Sequence, residues 1–386
     1  MEIKMKKRFL ICSLIFLSLT LNAAEWGGAF SNVTEFAGKT EELKLVQNDG
    51  LSLWGKIPCS KDNNSYLLAD VSYNFKYDAQ DSANRAVSNL LNLNLFEANF
   101  YWKLSPFSRL QLKAGRFPIA DGTGAIFTQS ADGLYLNFKS LKIEASVYGS
   151  YTGLLNSKVV EMLPLEDFGY KSNYIEETND FYTLSAKYIP VALNLRIPFR
   201  AQNFVLQGWG FLDLNESNAN RFLATVGFNG YISKNLSYNV QTSFQTVNFA
   251  SISNFSKVNF SFYVENFILS LKGIYASGNN GSFSPFIPVT KKTPVFSFYD
   301  TEYSGLILAG LEANYLVKKI VNVFAGADFI IDARTENLDY RGFQYAAGLN
   351  YNIFPDLRLS AIAKQFFGKN TEENKLTLDI VLQMVF

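Results

Sequence analysis

The stretch Leu67-Leu-Ala-Asp-Val-Ser-Tyr-Asn-Phe-Lys-Tyr-Asp78 sets Leu67, Ala69, Val71, Tyr73, Phe75 and Tyr77 on one parity and Leu68, Asp70, Ser72, Asn74, Lys76 and Asp78 on the other. Side chains along a strand point to alternate faces, so this segment reads as a strand with one apolar and one wet face. The alternation holds for about eleven residues. That matches the ~9–11 residues of a tilted membrane-crossing strand and exceeds the five or six usual in soluble sandwiches.

The same texture recurs on both sides of this segment. Leu141, Ile143, Ala145, Val147, Gly149 and Tyr151 alternate with Lys142, Glu144, Ser146, Tyr148 and Ser150. Val321, Val323, Ala325, Ala327, Phe329 and Ile331 alternate with Asn322, Phe324, Gly326, Asp328 and Ile330, and Tyr345, Ala347, Leu349, Tyr351 and Ile353 with Gln344, Gly348, Asn350 and Asn352. Aromatics gather at strand ends, as in Phe100-Tyr101-Trp102, which suits the girdles of a bilayer-spanning barrel. Connections alternate in length. Tight ones fall at 105–108, 139–140, 233–235, 265–266, 318–319 and 354–356, and longer ones near 79–86, 118–131, 153–180, 215–220, 248–256, 277–303, 333–342 and 368–374.

The expected fold is therefore an all-β, antiparallel, up-and-down transmembrane barrel. Eighteen segments carry the parity, from 26–36 to 375–386. The first two are weakly patterned, and Pro190 and Pro198 make 189–202 either a bent strand or a long turn, so sixteen strands is the alternative, with an even number expected either way.

Composition agrees. Among 386 residues there are 35 Phe and 21 Tyr, yet mean hydropathy is only +0.01, so apolar residues are plentiful without forming long blocks. At the N-terminus Lys4, Lys6, Lys7 and Arg8 precede an apolar run from Phe9 to Leu21 and a small-residue site at Asn22-Ala23-Ala24, the layout of an export signal. The run is shorter than the ~20 residues of a spanning helix. Cleavage after Ala23 or Ala24 is expected, with 1–24 removed and 25–386 forming one barrel domain. Cys12 lies inside the apolar run, not after it, which argues against a lipoprotein signal, and Cys59 is then the one cysteine left. Cleavage takes four of 35 basic and one of 34 acidic residues, leaving 31 and 33. That balance does not suit a nucleic-acid partner. The chain has no His, which excludes Ser-His-Asp and Cys-His catalysis and any His-ligated metal. No catalytic, cofactor or metal site is expected.

The last segment, Lys375-Leu-Thr-Leu-Asp-Ile-Val-Leu-Gln-Met-Val-Phe386, puts Leu376, Leu378, Ile380, Leu382, Met384 and Phe386 on one face. It resembles the C-terminal strand by which bacterial outer-membrane β-barrels are recognised by their assembly machinery. An ordinary amphipathic strand would explain the alternation but not the terminal Phe. A second resemblance, to porin-type barrels, rests on Gly115-Arg116-Phe117 at a strand end and Asp132-Gly133-Leu134 re-entering the next strand. It implies a loop at 118–131 that folds inward and narrows the lumen.

On that resemblance Arg109, Lys113 and Arg116, set against Asp121 and Asp132, are the candidate constriction residues. The competing reading makes Arg116 a structural anchor paired to Asp121 or Asp132, and the two are not exclusive. The other wet-face charges have mixed sign: Asp70, Lys76, Glu97, Lys103, Lys142, Glu144, Lys187, Lys272, Glu312, Asp328, Arg358, Lys364 and Asp379. A charge on the lipid face is costly, so they imply an aqueous lumen with weak ion preference. Gly122-x-Gly124 lacks the Lys-Ser/Thr of a phosphate loop and reads as a turn.

The resemblance implies a porin passing small hydrophilic solutes and ions by diffusion, in contact with outer-membrane lipid and the barrel assembly machinery, with a homotrimer as one arrangement. The alternative is a surface-exposed barrel that acts as an adhesin through loops 153–180 and 277–303. A barrel hydrolase is disfavoured by the missing His.

Overall fold

The structure is a computed structural model that describes residues 24–39, 42–79, 85–160, 162–163, 165, 170, 182–279, 283–290, 303–318, 320–334, 338–370 and 374–386. The export-signal segment 1–23 lies outside the described residues.

Eighteen strands follow in chain order: β1 (Glu25–Lys39), β2 (Glu42–Pro58), β3 (Tyr66–Ala79), β4 (Arg85–Ser105), β5 (Ser108–Ala120), β6 (Thr128–Lys139), β7 (Glu144–Tyr151), β8 (Tyr188–Phe199), β9 (Gln202–Asp213), β10 (Arg221–Ser233), β11 (Leu236–Val247), β12 (Ser251–Val264), β13 (Phe267–Ala276), β14 (Leu306–Val317), β15 (Val321–Asp332), β16 (Asp339–Phe354), β17 (Leu357–Gly368) and β18 (Lys375–Val385). Each pairs with its neighbours in sequence, and β1 pairs with both β2 and β18, so the sheet closes on itself and leaves no free edge. Eighteen, not sixteen, is the strand number.

The register confirms which face is which. On β2 and β3, Leu51, Leu53, Leu67, Val71 and Tyr73 are exposed outward, while Ser52 and Asp70 bond to each other inside at 3.1 Å. Leu193, Leu134, Leu271 and Ile380 continue the outer wall around the ring, 61%, 60%, 56% and 40% exposed. A contiguous apolar surface of this extent would be an aggregation hazard in water, whereas against acyl chains it is matched to its solvent. The start of β1 and the end of β18 lie at the end of the tight turns, and the long loops lie at the other.

Three expectations are corrected in detail. Pro190 and Pro198 sit within the continuous strand β8. The β7 ladder reaches only from Arg196 to Val191, so each proline lies just beyond it, where no N–H is required on that side. The long loop expected at 248–256 shrinks to three residues, because Asn248 and Phe249 adopt φ of 48° and 60° and turn the chain directly into β12. The segment expected as a strand over 181–196 begins only at Tyr188, with residues 182–187 as irregular backbone ahead of it.

Among the described residues, the largest buried apolar cluster lies within the lumen. Phe117, Ile126, Phe127, Tyr148, Trp209, Phe211, Phe255, Phe286, Val289, Tyr303 and Leu308 belong to it, and all but the loop members sit at lumen-facing positions of their strands.

Candidate functional site: a loop-built lumen constriction

The loop between β5 and β6 is shorter than expected. Pro118 pairs with Ser130 and Ala120 with Thr128, so the excursion is 121–127. Asp121 closes it: its carboxylate accepts backbone N–H groups of Thr123 (2.7 Å), Ile126 (3.0 Å) and Phe127 (2.8 Å). Gly124 supplies the left-handed turn at φ 65°. Asp121 thus shapes the loop and is 4% exposed.

The loop runs inward. Gly122 N–H donates to the Gln207 side chain of β9 at 2.7 Å, and the Thr123 carbonyl accepts from the Lys257 ammonium of β12. β12 is seven strands around the ring from β5, so the loop spans the lumen as a chord. Ile126 and Phe127 are fully buried, and the Phe127 ring packs against β9, 4.9 Å from Phe211 and 5.3 Å from Trp209.

Two further loops lace onto it. The Ile126 carbonyl accepts from Val289 N–H (2.8 Å) and Thr290 N–H (3.2 Å), and Val289 in turn accepts from Leu163 N–H at 3.0 Å. Arg221 of β10, 2% exposed, fastens both additions by donating to the Pro288 and Leu163 carbonyls. Phe286 fills the space beside Phe255, 5.2 Å between centroids. One side of the outer half of the tube is therefore occupied by aromatic and aliphatic side chains.

The expected constriction residues divide. Arg116 is bound bidentately to Asp132, Nε to Oδ1 at 2.9 Å and Nη2 to Oδ2 at 2.8 Å. It also donates to the carbonyls of Leu93 and Leu154, both at 3.2 Å, and is 6% exposed. In register it lies opposite Phe96, an outward residue, at the last pair of β4 with β5. Gly115 beside it has φ 110°, and a Cβ there would collide with the Phe96 carbonyl, so only Gly fits. The geometry is that of an anchor at the fork where β4 parts from β5. Lys113 points into the lumen and pairs with Glu97 at 3.2 Å, and Glu97 also accepts from the Tyr66 hydroxyl at 2.9 Å. Arg109 pairs in register with Lys103 and Lys139 beside the tight turn, at the opposite end of β5 from the loop. It stands apart from the constriction.

Sequence reasoning missed Lys257, Arg221 and Gln207 as loop fasteners. It also passed over a usable signal: Ala125-Ile126-Phe127 and Pro285-Phe-Ile-Pro-Val289 are apolar runs inside segments read as loops, and apolar loops need somewhere dry to go.

The rest of the lumen wall stays polar, with charges paired. Lys272 meets Asp328 at 2.9 Å, and Gln344 donates to Asp328 at 2.8 Å. Gly310 leaves the room these side chains occupy, since a Cβ there would strike both. Lys364 pairs with Asp379 at 2.6 Å and Lys44 with Asp78 at 3.1 Å, while Asn94 and Ser52 bond to Asp70.

A closed eighteen-strand antiparallel barrel with an apolar outer wall, a polar lumen and an inward loop is the fold of the porin-type barrels of the bacterial outer membrane. Comparison with solved structures agrees with this fold. The chain is similar to OccK9 (OpdG) of Pseudomonas aeruginosa, with TM-score 0.64, 12% identity, and 95% of this chain and 99% of that one covered. It is likewise similar to OccAB4 of Acinetobacter baumannii, with TM-score 0.62, 11% identity and 94% and 98% covered. A third is OpdK of P. aeruginosa, solved with vanillate, with TM-score 0.61, 10% identity and 94% and 98% covered. No protein-family model and no curated protein matches the chain.

Proposed function

We propose that this protein is an outer-membrane porin through which small hydrophilic solutes and ions diffuse passively, with residues 1–24 directing export and removed from the mature barrel. The observation that carries this reading is the chord from β5 to β12. Loop 121–127 is tied to Lys257 and Gln207, which narrows the tube, while the wall running from β16 through β1 to β4 keeps a hydrated, charge-paired lining. Barrels of eighteen strands leave a channel where about eight are filled by side chains. Mixed and mutually paired charges give weak ion preference. Lys113, Asp121 and Lys257 are the residues that shape the passage, with Arg116 and Asp132 holding the loop-bearing strands in place.

The adhesin reading is less well supported, because the described ends of its two loops turn into the lumen: Leu163 and Val289 bond to each other and, through Ile126, to the constriction. Residues 166–169, 171–181 and 291–302 lie outside the described residues. A catalytic role has no geometric support, and the reading includes no cofactor or metal. Recognition of the Phe386 strand by the barrel assembly machinery belongs to the proposal, as does side-by-side association of copies, with a homotrimer as one arrangement to test.

Planar-bilayer recording tests the channel. Discrete current steps from purified, folded barrel are expected; insertion without steps would sink the reading.

A further inference from the structure

Among the described residues, the outer wall carries a polar island at mid-strand on β1 and β2 that lipid does not explain. On the lipid-facing parity of β1 and β2, Asn32 lies opposite Asp49 and Thr34 opposite Gln47. Asn32 Nδ2 donates to Asp49 Oδ1 at 2.5 Å, Gln47 Nε2 to Asp49 Oδ2 at 3.2 Å, and Thr34 Oγ1 to Asn32 Oδ1 at 3.5 Å. Apolar side chains border the island on every side. Phe30 and Leu51 lie toward the turns, Phe36 and Leu45 toward the loops, Leu382 and Ile380 across on β18, and Phe75 and Tyr77 across on β3. A carboxylate with two amides at mid-strand is unfavourable against acyl chains, where no solvent hydrogen bond is available.

We propose that this island is the contact by which two copies of the chain associate across a two-fold axis. Donors and acceptors on the island are self-complementary. Each Asn32 and Gln47 amide spends one N–H within the island and has a second to offer, and the Asp49 oxygens and Gln47 Oε1 are there to receive it. An isologous contact brings such a set against its own copy. Three other outward polar sets are already bonded among themselves. Thr242, Asn254 and Ser256 bond among themselves, at 2.8, 3.0 and 3.1 Å, and Asn254 is 7% exposed. Arg116 and Asp132 are bound to each other, and Gln365 accepts from the Tyr345 hydroxyl. A closed trimer needs two different complementary faces on each barrel, whereas this island matches itself. The inference rests on the membrane-embedded reading of the barrel, not on the channel activity.

The test uses the exported barrel in outer membranes, in a Cys59→Ser background because Cys59 is an exposed free thiol. Gln47→Cys, and separately Thr34→Cys, are treated with a short bis-maleimide and run on a reducing gel. A dimer band at least several-fold stronger than that of Leu193→Cys, on the far wall, is expected. A band no stronger than this control, or a ladder beyond the dimer, would overturn the proposal. In detergent, Asp49→Leu should lower the dimer fraction by several-fold while heat-modifiable migration stays intact; an unchanged dimer fraction would also overturn it. Single-barrel conductance should be the same in every variant, so failure of the channel reading shows up separately.

Discussion

Phe386 and Gly28 exchange both backbone hydrogen bonds, at 2.9 and 2.8 Å, and the Phe386 ring lies where a Gly28 Cβ would come within 2.5 Å of its Cζ. The terminal aromatic and the missing side chain are one joint, and it closes the ring where the last strand meets the first. Gly28→Leu should obstruct this joint from one side and Phe386→Ala should empty it from the other. Both are expected to reduce several-fold the share of protein that migrates as heat-modifiable barrel. Equal yields from Gly28→Leu and the parent chain would mean that closure does not depend on the seat for Phe386.

The constriction hangs on a charged hydrogen bond. Lys257 is 9% exposed and donates to the Thr123 carbonyl across the lumen. Hydrogen bonds involving a charged group contribute about 1.5–3 kcal/mol. Lys257→Met keeps the stem and removes the bond, so the loop should leave the chord part of the time. Single-channel recordings are expected to show higher mean conductance with added flicker. Conductance and noise matching the parent channel would show that aromatic packing around Phe127 suffices to hold the loop.

Arg116 is stationed by geometry rather than by lumen charge. Its guanidinium meets the Asp132 carboxylate and two carbonyls while buried, and removing one partner of such a pair costs about 3–5 kcal/mol. Arg116→Ala should therefore lower the unfolding temperature markedly and leave the reversal potential in a salt gradient unchanged. Arg116→Lys should rescue little, because an ammonium cannot reproduce the fork. A shifted reversal potential in folded Arg116→Ala protein would return this residue to the ion path.

The strands were legible because alternation is a local signal. Each of the eighteen segments read from parity overlaps one observed strand, and Leu67 to Asp78 keeps its faces as read. Boundaries moved where the backbone does something parity does not encode, as at the positive-φ turn of Asn248 and Phe249. The constriction was legible only in part. Gly115, Arg116 and Asp132 were recognisable as a set, but their anchoring role depends on a fork between β4 and β5. The fastening of Thr123 by Lys257 joins residues 134 apart in sequence. Nothing local to either residue announces the other, although the apolar run at 125–127 marks the loop as one that folds inward.

The pair Lys272–Asp328 allows a sharper separation of stability from permeation. Both side chains are fully buried in the lumen wall, 2.9 Å apart, with Gln344 on the same carboxylate and Gly310 making room. Lys272→Met leaves Asp328 as an unbalanced buried charge, at a cost of about 3–5 kcal/mol, whereas replacing a whole buried pair by apolar residues of similar size is often neutral or stabilising. The double variant Lys272→Met/Asp328→Leu should therefore be more stable than Lys272→Met alone, by several degrees in thermal unfolding followed by circular dichroism in detergent. Because the pair is neutral as a unit, the double variant should also keep the parent ion preference, while Lys272→Met should shift it toward cations if it folds. A double variant no more stable than the single one would mean that Asp328 is compensated in the wall by Gln344, and not chiefly by Lys272.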